Sequence, residues 1–211
     1  WRSESSMNKP SGLMDWEALC EFQHGIIGKE AVIVVSAAPI YGVKFIEAIQ
    51  KVFTFFGKAL TVDAENWMAH KGTANVILNI FRHYKTPPEF IILSGDVHYS
   101  FVYDVRLRFR RNSPHITQFP CSGLKNAFPE GLIRWLDRLN RMFYGSSSLL
   151  NLFTRRRNMS VKARAPSQGS GELYNGCAIG ILKLSDKHQE VICKALLSSG
   201  KEVEFPPIKD D

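Results

Sequence analysis

Two side chains able to hold a metal ion stand two residues apart at the end of an apolar run. They belong to the segment Ser94-Gly95-Asp96-Val97-His98, which follows the residues Phe-Ile-Ile-Leu at 90–93. In an extended chain residues i and i+2 point the same way, so the Asp96 carboxylate and the His98 imidazole are expected to project together. That pair suits a divalent or trivalent transition metal. Ligand sites in layered α/β proteins lie beyond the carboxyl ends of strands, and Gly95 would permit a sharp turn there with close backbone approach. Two ligands are too few for a stable site, so further donors must come from elsewhere. The plainer alternative is a turn capped by Asp96 and a satisfied core histidine at 98. Asp-x-His pairs are common, and spacing alone favours that alternative.

Other polar groups read mostly as structure. His70 lies near Asp63 and Glu65, a grouping that fits a solvated helix start better than a second metal cluster. Trp67 reads as core packing or a pocket wall. His24, His83 and His188 fall in helix-end or turn contexts. His115 precedes a short strand, and lining a cleft is its minority reading. Ser122 and Asn126 flank a Gly in a loop after the motif. A plain turn is favoured over substrate binding, since Gly, Ser and Asn favour turns for local reasons.

The elements that would position Asp96 and His98 are legible from periodicity. Residues 31–36 (AVIVVS) form a continuous apolar run, expected to be a strand buried on both faces. Residues 43–56 have apolar positions at helical spacing, with Gly57 as a C-cap candidate. Residues 73–84 repeat that pattern until Pro87-Pro88 stops it. Residues 90–94 (FIILS) form a second buried strand. This order of strands and helices predicts an α/β layered fold. After His98 the period becomes two, predicting a half-exposed strand through residues 99–109. Residues 173–184 and 189–197 read as antiparallel strands joined around Asp186-Lys187, with a turn at Ser199-Gly200 into residues 203–205. Residues 1–12 and 155–171 read as linkers or loops.

Residues 90–101 (FIILSGDVHYSF) closely resemble the Gly-Asp-Val-His motif of the PhoD-like phosphatases, the alkaline phosphatase D family of calcineurin-like metallophosphoesterases. Residues 32–42 (VIVVSAAPIYG), 63–67 (DAENW) and 118–126 (QFPCSGLKN) resemble neighbouring family segments in the same order. The resemblance implies a four-layer αββα sandwich, truncated at its N-terminal side, with the whole chain 1–211 forming the C-terminal portion of one metallophosphatase domain. It implies hydrolysis of phosphate mono- or diesters at a site of two or more metal ions about 3.5–4 Å apart. Asp96 and His98 would be ligands that close that site, with His98 also serving the chemistry. Many relatives have His where Asp96 stands, and an oxygen donor there favours iron, manganese or calcium over zinc. Two departures stand out. Ala37-Ala38-Pro39 lacks the His that often precedes this Pro, and the early metal motifs of the family are not in the chain. The sequence starts at Trp1, so it is read as the C-terminal part of a longer chain and is expected to show no phosphatase activity alone.

The formal charge of +7 is regional: residues 101–165 hold 13 Lys and Arg against 3 Asp and Glu. Within that region, residues 128–157 look like an inserted basic amphipathic helical segment. Leu132, Trp135, Leu136, Leu139 and Met142 form an apolar stripe, and Arg134, Arg138 and Arg141 a basic face, between Pro129 as first helical residue and Gly145. An ordinary helix packed on the sandwich with a solvated basic face is the main reading. The alternative is a non-catalytic domain that binds a membrane surface or acidic partner through 129–157. Nucleic acid is the least favoured partner, because no recognised module accompanies the charge.

The hydrophobic share of 45% supports a packed core, and no apolar run approaches the ~18 residues of a membrane span. Cys20, Cys121, Cys177 and Cys193 lack zinc spacing and are expected to be buried, reduced thiols. That favours a reducing, cytoplasmic type of compartment.

Overall fold

In the computed structural model the described residues are 14–46, 67, 71–95, 97–108, 113–121, 129–145, 148–169, 171–185 and 190–208. Helix α1 (Trp16–Ile26) opens on Asp15, whose Oδ1 accepts the backbone N–H of Ala18 at 2.9 Å and so satisfies one of the free donors of the first turn. Strand β1 (Ala31–Ser36) follows, then helix α2 (Lys71–Arg82) and strands β2 (Glu89–Ser94), β3 (Val102–Leu107) and β4 (His115–Pro120). Helix α3 (Glu130–Tyr144) leads into two 3-10 turns, Leu149–Phe153 and Arg155–Asn158, and strand β5 (Met159–Arg164). Strands β6 (Ala178–Ser185), β7 (Glu190–Leu197) and β8 (Glu202–Phe205) complete the order.

Two sheets result. The first is five-stranded and mixed, in the order β1-β2-β4-β3-β5, with β1, β2 and β4 parallel and β3 and β5 antiparallel to their neighbours. The second, β6-β7-β8, is an antiparallel meander whose last turn needs Gly200 at φ 79°. Alternation along each strand splits the core in two. Phe90, Ile92, Tyr103, Val105 and Ile116 face the helices, packing with Leu19 of α1, Ile77 and Phe81 of α2 and Ile133 of α3. Ile91, Val102 and Phe119 face the second sheet and meet Cys193, Ala195, Val203 and Phe205. The described layers are thus helices, five strands and three strands, a mixed α/β architecture.

Several expectations need correction. No residue of β1 is fully buried: it is an edge strand, and Ile33 and Val35 are 50% and 80% exposed. The side of β1 that carries Ile33 and Val35 has no covering strand among the described residues. Strand β3 is better buried than the alternation predicted, since it lies inside the sheet between β4 and β5, and Val102 is buried beside Tyr103. The supposed linker 155–171 contains β5, where Met159 and Val161 are buried at alternate positions. The helix predicted at 43–56 is described only to residue 46, and the turn at Asp186-Lys187 lies outside the described residues. All four cysteines are free, but Cys193 alone is buried, and burial pushes its thiol up to about 12. No helix among the described residues is long and apolar enough to cross a membrane.

Candidate functional site

The parallel strands end together. Ser36, Ser94 and Pro120 are in register across β1, β2 and β4, and the chain leaves this edge at Gly95. Two hydrogen bonds lock the far side of the platform: the buried Gln118 amide accepts from Tyr41 N at 2.8 Å and donates to Tyr41 O at 2.7 Å. The buried Trp67 indole donates to Ser36 Oγ at 2.9 Å, which places it as packing beneath the turn after β1. Gly95 is not there for lack of space, since an added Cβ would meet Ala37 O only at 4.0 Å, an ordinary contact.

Beyond Gly95 the loop is anchored from behind. Ser100 and Tyr174 exchange backbone hydrogen bonds of 2.8 Å in both directions, and Tyr99 and Phe101 are buried. His98 itself is exposed, so it is not a core histidine. Asp96 lies outside the described residues, as do Asp63, Glu65, His70, Ser122, Asn126 and His188. The described residues include no group of three or more His, Cys, Asp or Glu that could hold a metal ion. They therefore fit one ligand position, His98, and any ion here would need Asp96 and donors from beyond them. On the same edge the Ser94 hydroxyl is buried with no hydrogen-bond partner among the described residues, and the Cys121 thiol donates to Ala178 O at 3.4 Å. Sequence spacing singled out neither.

A cavity of about 260 Å³ is lined in part by Tyr174, the residue whose backbone pairs with Ser100. Its lining includes Arg134, Arg138 and Arg141 of α3, with Asp137 and Asn175. Burial raises the Asp137 carboxyl above its usual range, against the pull of Arg141 at 3.4 Å. Both Asp137 oxygens lie 3.3 Å from the Glu172 backbone N–H, which ties α3 to the segment holding Tyr174.

His115 has no part in this edge. It starts β4, at the opposite end of the parallel strands, within 3.3 Å of Glu89 and 3.5 Å of Asp104. Hydrogen bonds to Asp104 and then Glu89 raise its imidazole to about 9. Burial pushes the Asp104 carboxyl up, yet its bonds to His115 and Arg164 outweigh burial and hold it at about 2. Arg164 grips both Asp104 oxygens at 2.7 and 2.8 Å and donates to Val191 O in the second sheet at 2.6 Å. This cluster is a clamp between sheets, and the cleft reading of His115 is overturned by its position.

In comparisons with known proteins, no family model, no curated protein and no solved structure matches the chain. The likeness to PhoD-like phosphatases rests on the segments quoted from the sequence.

Proposed function

We propose that this chain supplies one side of a metal-dependent phosphoester hydrolase of the PhoD-like kind, within a four-layer αββα sandwich. Asp96 and His98 are the ligands it contributes to two or more ions, with iron, manganese or calcium favoured by the oxygen donor. The observation that carries this reading is the exposed His98 imidazole beyond the joined carboxyl ends of β1, β2 and β4, where α/β proteins place their ligands. The cavity that includes Tyr174 carries three arginines against Glu130 and Asp137, an excess of positive charge that suits an anionic ester. A bound ion there would polarise the phosphoryl oxygen and activate water. The chain's own part is to hold the His98 loop still through the Ser100–Tyr174 pair and to draw the substrate in with α3.

Metal content by mass spectrometry and hydrolysis of an aryl phosphate test the reading on the same preparations. In a form of the protein that carries the remaining donors, Asp96→Ala and His98→Ala should each strip the metal and slow hydrolysis roughly a hundredfold or more, since even outer partners of a metal site cost 10–100-fold. Unchanged metal content in both variants would sink the assignment. The 211-residue chain by itself should turn over no aryl phosphate, and vigorous metal-dependent turnover would overturn that part. A non-catalytic binding domain is the second reading, favoured by the exposed faces of α3. It predicts no metal in any form.

A further inference from the structure

Helix α3 and the 3-10 turn after it bury polar side chains while leaving large apolar ones in solvent. The residues α3 buries are Ile133, Leu136, Asp137 and Asn140, so half of its inner face is polar. Asn140 Oδ1 accepts the Phe45 backbone N–H at 3.2 Å, and Asp137 accepts that of Glu172. The apolar stripe read from sequence splits as a result. Leu136 goes inward, while Leu132, Trp135 and Met142 are 46%, 53% and 62% exposed. Phe143 joins them, and Phe45 packs edge-on to Trp135 without covering it. The 3-10 turn Leu149–Phe153 repeats the inversion. Asn151 is its buried residue and donates to Gly145 O at 2.7 Å, while Leu149, Leu152 and Phe153 stand in solvent at 78%, 55% and 88%. Arg156 fixes the far end by donating to Tyr144 O at 3.1 Å and Gly42 O at 3.3 Å.

Among the described residues, eight of the fourteen exposed large apolar side chains therefore fall within residues 132–153. Monomeric proteins rarely leave such a cluster in water. At 3.6 residues per turn, Arg134, Arg138 and Arg141 run beside the exposed apolar stripe on the solvent side of α3, and the exposed Arg157 follows the 3-10 turn. Apolar side chains held out by polar anchors and flanked by arginines match one environment: the boundary between acyl chains and anionic headgroups. An anionic bilayer surface answers the exposed leucines and aromatics with its acyl chains and the row of arginines with its headgroups.

We propose that the surface formed by α3 and the Leu149–Phe153 turn docks on anionic lipid bilayers, with Phe153, Leu149, Trp135 and Met142 inserted and Arg134, Arg138 and Arg157 against the headgroups. This goes beyond the hydrolase reading and stands whether or not the protein binds metal. Flotation of the full chain with vesicles tests it. Vesicles of equal parts phosphatidylserine and phosphatidylcholine should carry the chain at low salt, and pure phosphatidylcholine should carry far less. Arg134→Gln with Arg138→Gln should weaken binding about fivefold per arginine removed. Leu149→Ser with Phe153→Ser should weaken it at least tenfold and leave the circular dichroism unchanged, because both side chains already stand in water. Failure of the chain to float with anionic vesicles at low salt overturns the proposal. So does binding indifferent to Leu149→Ser with Phe153→Ser, or a dimer in sedimentation that the same pair abolishes, which would assign the surface to a second copy.

Discussion

Arg164 is 2% exposed, and Asp104 answers its buried charge with two oxygens while Val191 O takes a third bond. Asp104→Asn removes the carboxylate that grips this buried guanidinium at two points, and should cost about 3–5 kcal/mol in urea unfolding. The pH dependence has a definite sign. His115 is raised to about 9, so its contribution is complete below its ordinary value near 6.5 and is lost as pH climbs through 9. Asp104 is lowered to about 2, so its contribution is complete above its ordinary value near 3.8 and is lost as pH falls through 2. Stability should peak between those ordinary values and decline from about pH 6.5 to 9, and that decline should flatten in Asp104→Asn. An undiminished slope in the variant would refute the His115–Asp104 link. None of this could be read from sequence, because register alone brings Arg164 to Asp104 across a gap of sixty residues. His98 lay within reach of the sequence: it falls four positions past the end of β2, in the loop that must leave the sheet there.

At the scale of elements, periodicity found α2, α3 and the strands β2, β6, β7 and β8, each within a few residues of where it stands. It failed where the neighbour decides the outcome. The apolar run of β1 promised two buried faces, but burial of a strand depends on what flanks it, and β1 is last in its sheet. Strand β5 hid behind Arg155-Arg156-Arg157 although Met159, Val161 and Ala163 alternate just after them. The inner face of α3 was misassigned because apolar spacing fits two adjacent faces of one helix, and hydrogen bonds from Phe45 and Glu172 chose between them. That choice is measurable. Asn140→Leu adds apolar surface yet should destabilise by about 1–3 kcal/mol, since it leaves the Phe45 N–H unpaired. Met142→Gln on the outer face should stay within about 0.5 kcal/mol. If Asn140→Leu stabilised the fold in guanidinium titration, the inner face would be an ordinary apolar one.

For the whole molecule, the two sheets share one interior, and that interior is closed unequally. Around Phe119, Cys193 and Phe205 it is fully buried, so Ile91→Ala should cost about 2–5 kcal/mol. Toward β1 it runs out into solvent at Ile33 and Val35, and Leu184 of β6 is 57% exposed. Val35→Lys should therefore change the thermal midpoint little, within about 0.5 kcal/mol of stability. A large loss would mean that this side is closed after all.

The bare flank of β1 also governs how solutions of the protein behave. Its outer row of amides and carbonyls has no ladder partner among the described strands, and two greasy side chains lie alongside it. Folded molecules can meet there edge to edge without first melting. Turbidity should accordingly build up in concentrated samples well below the unfolding temperature, and a lysine at position 35 should delay it.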